Sequence, residues 1–246
     1  MKPMTLDVNH IDAMLDKHGY IVIHDLELKS LSLAVRAEYE QCLRATKPHA
    51  PRARLDFRTL PNEPWRKLAI SSRNGIGEAY AQNLQSTYFS ADDKNYPALG
   101  SMFKMMIGVR NQLMRVSENF GQRPTVDLFW DACRIHHYPR GGGYMVMHKD
   151  THFPHIVDTQ IGKPFYQILV LLSRKGIDFM NGGGFVISDE DKKVDLEVEG
   201  GFGSLVIFDG RTAHGVDDVD PDQIIDFSKL DGRLAAFVSL YSVPSQ

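Results

Sequence analysis

Apolar positions in the first 120 residues recur mainly at helical spacing. Ile11, Met14 and Leu15 follow Asn9, a natural N-cap, and precede Gly19, a natural stop, which predicts a first helix. "YIVIHDL" at 20–26 reads as a short strand. Leu31, Val35, Tyr39 and Cys42 lie three or four apart and predict a second helix over 31–45. Proline and arginine break the pattern through 47–66, and "AQNLQSTYF" at 81–89 reads as extended. The longest predicted helix spans 98–119, with Met102, Met106, Val109, Leu113 and Val116 on one face. That methionine stripe is the spacing a helix needs to pack on a sheet, so it is read as core rather than as a cofactor contact.

From about residue 125 the pattern changes to short apolar runs separated by Gly- and Asp-rich turns. Strands are predicted at 126–138, 143–148, 165–172, 184–187, 194–198, 204–208, 214–216 and 233–242. Helical periodicity is nearly absent there, which argues against a doubly wound α/β fold. The expected class is α+β, mainly β: a double-stranded β-helix (jelly roll) buttressed by N-terminal helices. No repeat or linker divides the chain, so 1–246 is read as one domain, with 1–124 a mainly helical support region and 125–246 the jelly-roll core.

Composition adds exclusions. Hydrophobic content of 43%, charged content of 24% and a net charge of −3 describe an ordinary globular chain with no electrostatic reason to bind nucleic acid. Arg52, Arg54, Arg58, Arg66, Lys67 and Arg73 gather in one stretch, but acidic and apolar residues interrupt them. Cys42 and Cys133 form no CxxC pair and read as reduced thiols. The opening "MKPMTLDVNH" lacks an apolar core and no run is long enough to cross a bilayer, so a cytoplasmic protein without membrane contact is expected.

Candidate chemistry concentrates in "YPRGGGYMVMHKDTH", residues 138–152. Residues i and i+2 of a strand share a face, so His148 and Asp150 can reach one ion. A two-His-one-carboxylate site needs one more histidine and leaves positions open for substrate and oxygen. With ten histidines in the chain, HxD alone is read first as an incidental surface pair. His214 opens a short strand after "GSLVIFDGRTA", where a neighbouring jelly-roll strand passes the HxD segment. Arg233 opens the last apolar strand, where a desolvated guanidinium needs a partner. That partner is either a bidentate carboxylate ligand or a nearby acid such as Asp217 or Asp231.

Taken in order, Tyr138-Pro139, Gly143-Tyr144, His148-x-Asp150, "GGGFVI" at 182–187, "GSLVIFDGRTAHGV" and Arg233 resemble the Fe(II)- and 2-oxoglutarate-dependent dioxygenases, in their prolyl-hydroxylase-like branch. The resemblance covers about residues 134–242. It implies that His148, Asp150 and His214 hold Fe(II), that Arg233 binds the distal carboxylate of 2-oxoglutarate, and that Tyr138 hydrogen-bonds the same cosubstrate. The family's second cosubstrate tyrosine has no match in "ILVLLS", leaving Tyr166 or Gln167 as the substitute. The segment from His214 to Arg233 is also longer than the family pattern. O2 is the second cosubstrate. In related halogenases a small residue replaces the carboxylate, so Asp150 implies hydroxylation.

Trp130, Asp131 and Arg134 lead into the site and are candidate substrate contacts, as are His152, Arg73 and Gln85. His136 and His137 lack ligand spacing. The expected substrate is a small polar molecule, an amino acid or a derivative. The alternatives are a protein-residue hydroxylase and a cupin-like protein that binds metal or ligand without turnover. Oligomeric state is not legible.

Overall fold

The structure, a computed structural model, describes residues 6–50, 52–69 and 80–243. Its first strands are β1 (Tyr20–Ile23), β2 (Trp65–Ala69), β3 (Ala81–Gln82) and β4 (Leu84–Phe89). The later ones are β5 (Phe129–Tyr138), β6 (Gly143–His148), β7 (Tyr166–Leu171), β8 (Gly183–Ile187), β9 (Lys193–Asp195), β10 (Leu205–Asp209), β11 (His214–Val219) and β12 (Arg233–Ser242). The helices are α1 (Val8–His18), α2 (Leu26–Ala45), α3 (Pro97–Leu113), α4 (Pro124–Asp127), α5 (His152–Ile161) and α6 (Leu196–Glu199).

A seven-stranded sheet runs β1-β10-β7-β12-β5-β4-β2, and a five-stranded sheet runs β3-β6-β11-β8-β9. Alternation along the central strands separates two layers of packing. Cys133, Ile135, Ile168, Val170, Ala236 and Val238 face the helices, where Met102, Phe103 and Met106 of α3 are fully buried. Leu169, Leu171, Val206, Phe208 and Ala235 face the other way and meet Val186 of the second sheet. The functional residues occupy this inter-sheet layer.

The N-terminal half keeps its three long helices and also sends four strands into the sheets, of which β2 lies where no element was predicted. β1 pairs with β10, β4 with β5, β2 with β4, and β3 with β6. Local chemistry also moves several helix ends. α1 starts at Val8 because Asp7, not Asn9, accepts the His10 N–H, and it ends at Gly19 as predicted. α2 begins at Leu26 behind the cap Asp25. α3 begins with Pro97 and stops at Leu113, short of the predicted 119, leaving Val116 outside the helix. Among the described residues no helix is long and apolar enough to cross a membrane.

Candidate metal and cosubstrate site

β6 ends on His148 and β11 begins on His214, and the two residues are direct cross-strand partners. Their ring centres lie 4.3 Å apart. His148 Nδ1 is 2.9 Å from the Val146 carbonyl and His214 Nδ1 is 2.8 Å from that of Thr212. A carbonyl only accepts, so each ring carries its proton on Nδ1 and leaves an Nε2 lone pair free. Burial holds His214 below the usual histidine range, which favours the neutral form a metal requires.

Asp150 lies just beyond the end of β6 rather than on it. Its backbone N–H donates to the Gly210 carbonyl at 2.8 Å, which fixes the chain there. Gln167 Nε2 donates to Asp150 Oδ2 at 2.7 Å, while Oδ1 is 3.9 Å from His148 Nε2. One ligand atom from each of His148, Asp150 and His214 fits within a 4.8 Å span. Two imidazole nitrogens and a carboxylate converging from one side could supply the donor set of a facial two-His-one-carboxylate centre. Tyr80 sits edge-on to His148, with ring centres 4.9 Å apart, and Phe208 lies against His214 at 4.7 Å.

At the other end of the same cavity, Arg233 and Glu197 form a buried ion pair, with Nε to Oε1 at 2.6 Å. Glu197 Oε2 also accepts the Gly184 N–H at 2.7 Å. Desolvation pushes the Glu197 carboxyl above its usual range, and the Arg233 charge opposes that shift. The glycines of "GGGFVI" make room for this pair. A Cβ on Gly184 lies 2.2 Å from Arg233 Nη2, and one on Gly183 lies 2.6 Å from Glu197 Oε2. Arg233 Nη1 is buried with no hydrogen-bond partner among the described residues. Tyr138 lies beneath the guanidinium, 5.7 Å from ring centre to Cζ, and its hydroxyl reaches Met145 Sδ at 3.8 Å.

Between these ends is a cavity of about 290 Å³, walled by Tyr88, Arg134, Phe153, Phe237 and Tyr241 among others. A chain of hydrogen bonds crosses its floor. Arg134 Nη1 donates to Ser239 Oγ at 3.0 Å, and Ser239 donates to Gln167 Oε1 at 2.7 Å. Gln167 passes the series on to Asp150.

No protein-family model matches the chain, and no curated protein sequence does. Solved structures do. A prolyl hydroxylase from Trichoplax adhaerens, in complex with a hypoxia inducible factor oxygen degradation domain peptide fragment, aligns with a TM-score of 0.59 at 14% identity. That alignment covers 96% of this chain and 89% of the other. A Pseudomonas putida prolyl-4-hydroxylase gives 0.53 at 14% identity, over 96% and 100%. EctD from S. alaskensis, with 2-oxoglutarate and 5-hydroxyectoine, gives 0.51 at 18% identity, over 98% and 77%. The chain has the double-stranded β-helix fold of these proteins.

Within the double-stranded β-helix, His148, Asp150, His214, Arg233, Tyr138, Gln167 and Arg134 all line one cavity. The partner of Arg233 is neither Asp217, which pairs with Lys193, nor Asp231, but Glu197. Gln167 has its amide nitrogen committed to Asp150 and its oxygen to Ser239, so its geometry is that of a support for the carboxylate.

Other expected substrate contacts lie elsewhere. Asp131 is on the helix-facing side of β5 and pairs with Arg110 at 2.7 Å. Gln85 also faces the helices, bonded to Arg66 at 3.0 Å and to His137 at 3.2 Å. Trp130 has the same strand parity as Arg134 but stacks under Phe57 at 5.5 Å, outside the cavity. His152 is exposed at the start of α5, and its neighbour Phe153 faces the site instead. Arg73 lies outside the described residues. Sequence reading missed Glu197, Ser239, Phe237 and Tyr241. The last three were within reach, because they share the strand parity of Arg233.

Proposed function

We propose that this protein is an Fe(II)- and 2-oxoglutarate-dependent dioxygenase that hydroxylates an unactivated C–H bond of a small polar metabolite, an amino acid or a derivative. The observation that carries the reading is one cavity with complementary ends. His148, Asp150 and His214 converge their ligand atoms at one end, and Arg233 keeps a buried N–H without a partner among the described residues at the other. The three ligands would hold Fe(II). Arg233 would grip the distal carboxylate of 2-oxoglutarate, with Tyr138 beside it. The chemistry supplied there is coupling of 2-oxoglutarate decarboxylation to insertion of one atom of O2 into a C–H bond.

The protein's own part is to position and to exclude water. Nδ1 bonds hold both imidazoles in one tautomer, Gln167 orients Asp150, and Glu197 holds the Arg233 fork. The aromatic walls keep the cavity apolar around these charges. A metal-binding protein without turnover has no use for the free guanidinium donor, which favours the enzyme.

The test is oxygen-dependent succinate formation by the iron-loaded protein, screened with free amino acids, their derivatives and proline-containing peptides. Amino-acid-stimulated succinate release with a product 16 mass units heavier is the expected result. Stimulation by peptides alone would replace the small-molecule reading. Iron-loaded protein that neither binds 2-oxoglutarate nor makes succinate would overturn the enzyme reading.

A further inference from the structure

Among the described residues four arginines are buried: Arg66, Arg110, Arg134 and Arg233. A guanidinium taken out of water is costly unless its charge is answered. Three of them are answered within the fold. Arg110 pairs with Asp131 at 2.7 Å and Arg233 with Glu197 at 2.6 Å. Arg66 donates to the carbonyls of Leu43 and Thr46, where α2 ends and the helix dipole is negative.

Arg134 differs. It is 4% exposed, and its hydrogen bonds run only to neutral groups: His136 Nε2 at 3.1 Å, the Ala132 carbonyl at 3.3 Å and Ser239 Oγ at 3.0 Å. It makes no ion pair among the described residues. Its Cζ lies 5.2 Å from the ring centre of Phe237 and 5.4 Å from that of Tyr241, contacts that lessen the burial penalty without neutralising the charge. Among the described residues lining the cavity Asp150 is the one carboxylate, and it belongs to the proposed metal donor set. Arg134 therefore brings an unanswered positive charge to the cavity wall, three hydrogen bonds from Asp150.

We propose that Arg134 docks a carboxylate of the substrate, so that the substrate is an organic acid whose apolar body lies against Phe153, Phe237 and Tyr241. This rests on the dioxygenase reading and narrows it. The acid anchors beside the metal ligands on Arg134, while the cosubstrate anchors on Arg233. In the β5–β12 pairing, Phe237 faces Arg134 and Arg233 faces Tyr138, so the two arginines are four residues apart along the strands. At about 3.3 Å per residue the two anchors stand roughly 13 Å apart.

The experiment uses the full chain with Fe(II) under anaerobic conditions, after metal content and 2-oxoglutarate affinity have been measured. Calorimetry then compares 3-phenylpropionate, 4-phenylbutyrate and N-acetylphenylalanine with their primary amides, on wild type, Arg134→Gln and Arg134→Lys. At least one acid should bind wild type about tenfold or more tightly than its amide, as expected for a desolvated charge pair. That preference should disappear in Arg134→Gln, persist in part in Arg134→Lys, and leave 2-oxoglutarate affinity within about twofold of wild type. Acids and amides that bind alike, or not at all, overturn the proposal, as does a preference that survives Arg134→Gln. A selective loss of 2-oxoglutarate affinity in Arg134→Gln overturns it too, by giving the cation to the cosubstrate. Wild-type protein that holds neither iron nor 2-oxoglutarate refutes the dioxygenase reading instead. The acid preference is measured in parallel on metal-free protein, so the two failures stay distinct.

Discussion

At one end of the cavity His148, His214 and Asp150 turn acceptor atoms toward a common point, and at the other Arg233 offers a donor that no described residue receives. The first end is held by neutral backbone: each imidazole is fixed by a carbonyl two residues earlier on its own chain. The second is held by a buried charge pair whose members are 36 residues apart. Preorganisation is therefore local at the proposed metal end and tertiary at the proposed cosubstrate end. Damage should behave differently in the two places, with binding lost at the first and folding lost at the second.

The largest effect is expected from His214→Ala. It removes a proposed ligand while breaking only a local hydrogen bond to the Thr212 carbonyl, so iron affinity should fall by more than about 100-fold, beyond the range typical of supporting residues. Metal analysis after dialysis checks this, and unchanged iron content refutes the ligand assignment. Unfolding free energy should barely change in the metal-free protein. Glu197→Ala should show the reverse pattern. Leaving Arg233 buried without its partner is expected to destabilise the fold by about 3–5 kcal/mol, read from denaturant unfolding. Metal-free protein equally stable with and without Glu197 would remove the contrast between the ends.

The same contrast explains what the sequence revealed. The proposed metal end was legible because His148 and His214 lie at the ends of strands with strong apolar patterning, and strand register alone places them opposite each other. The anchor end was half legible. Arg233 stood out at the root of β12, but Glu197 fell in a stretch read as a strand over 194–198. Only Lys193–Asp195 is extended. Asp195 caps the next turn by accepting the N–H groups of Glu197 and Val198, and that turn points Glu197 inward. The capping aspartate was the available signal. Trp130 and Asp131 were misjudged because nearness along β5 was given more weight than alternation and cover. The short strand β2 was hidden by its polar residues, Arg66 and Lys67, within a run broken by proline.

Acid sharpens the comparison from the other side of the anchor strand. His137 is fully buried behind Tyr138, its Nε2 2.6 Å from the Asp231 carbonyl, which lies two residues before Arg233. Burial lowers its pKa from 6.5 to about 4, against the opposing pull of that carbonyl. Between those values the unfolded chain binds the extra proton, so stability rises with pH there. The contribution is complete above about pH 6.5 and is lost as pH falls to about 4, a change of about 3 kcal/mol. Partly buried His136, lowered in the same direction by desolvation and the nearby arginines, adds to the same trend. Unfolding of metal-free protein at pH 7 and at pH 5 should show the loss, and His137→Asn should flatten it. Equal stability at both pH values would mean that His137 is not held neutral.

The smallest effect is expected at Gln167, which links the proposed metal end to Arg134 through one side chain. Its amide nitrogen orients Asp150, while its oxygen receives Ser239 and, through it, Arg134. Removing it leaves all three ligands in place and no charge unpaired. Gln167→Ala should therefore lower iron affinity by about 10–100-fold, the range usual for a partner that orients a ligand. Gln167→Glu is the sharper variant, because it sets a second carboxyl group against Asp150 and removes the N–H that Asp150 accepts. If Gln167 acts by orienting Asp150, the glutamate variant should bind iron more weakly than the alanine variant below saturating metal, and 2-oxoglutarate affinity at saturating metal should stay near wild type in both. If Gln167 instead meets the cosubstrate, 2-oxoglutarate affinity falls while iron affinity holds. Paired titrations of metal and cosubstrate separate the two roles.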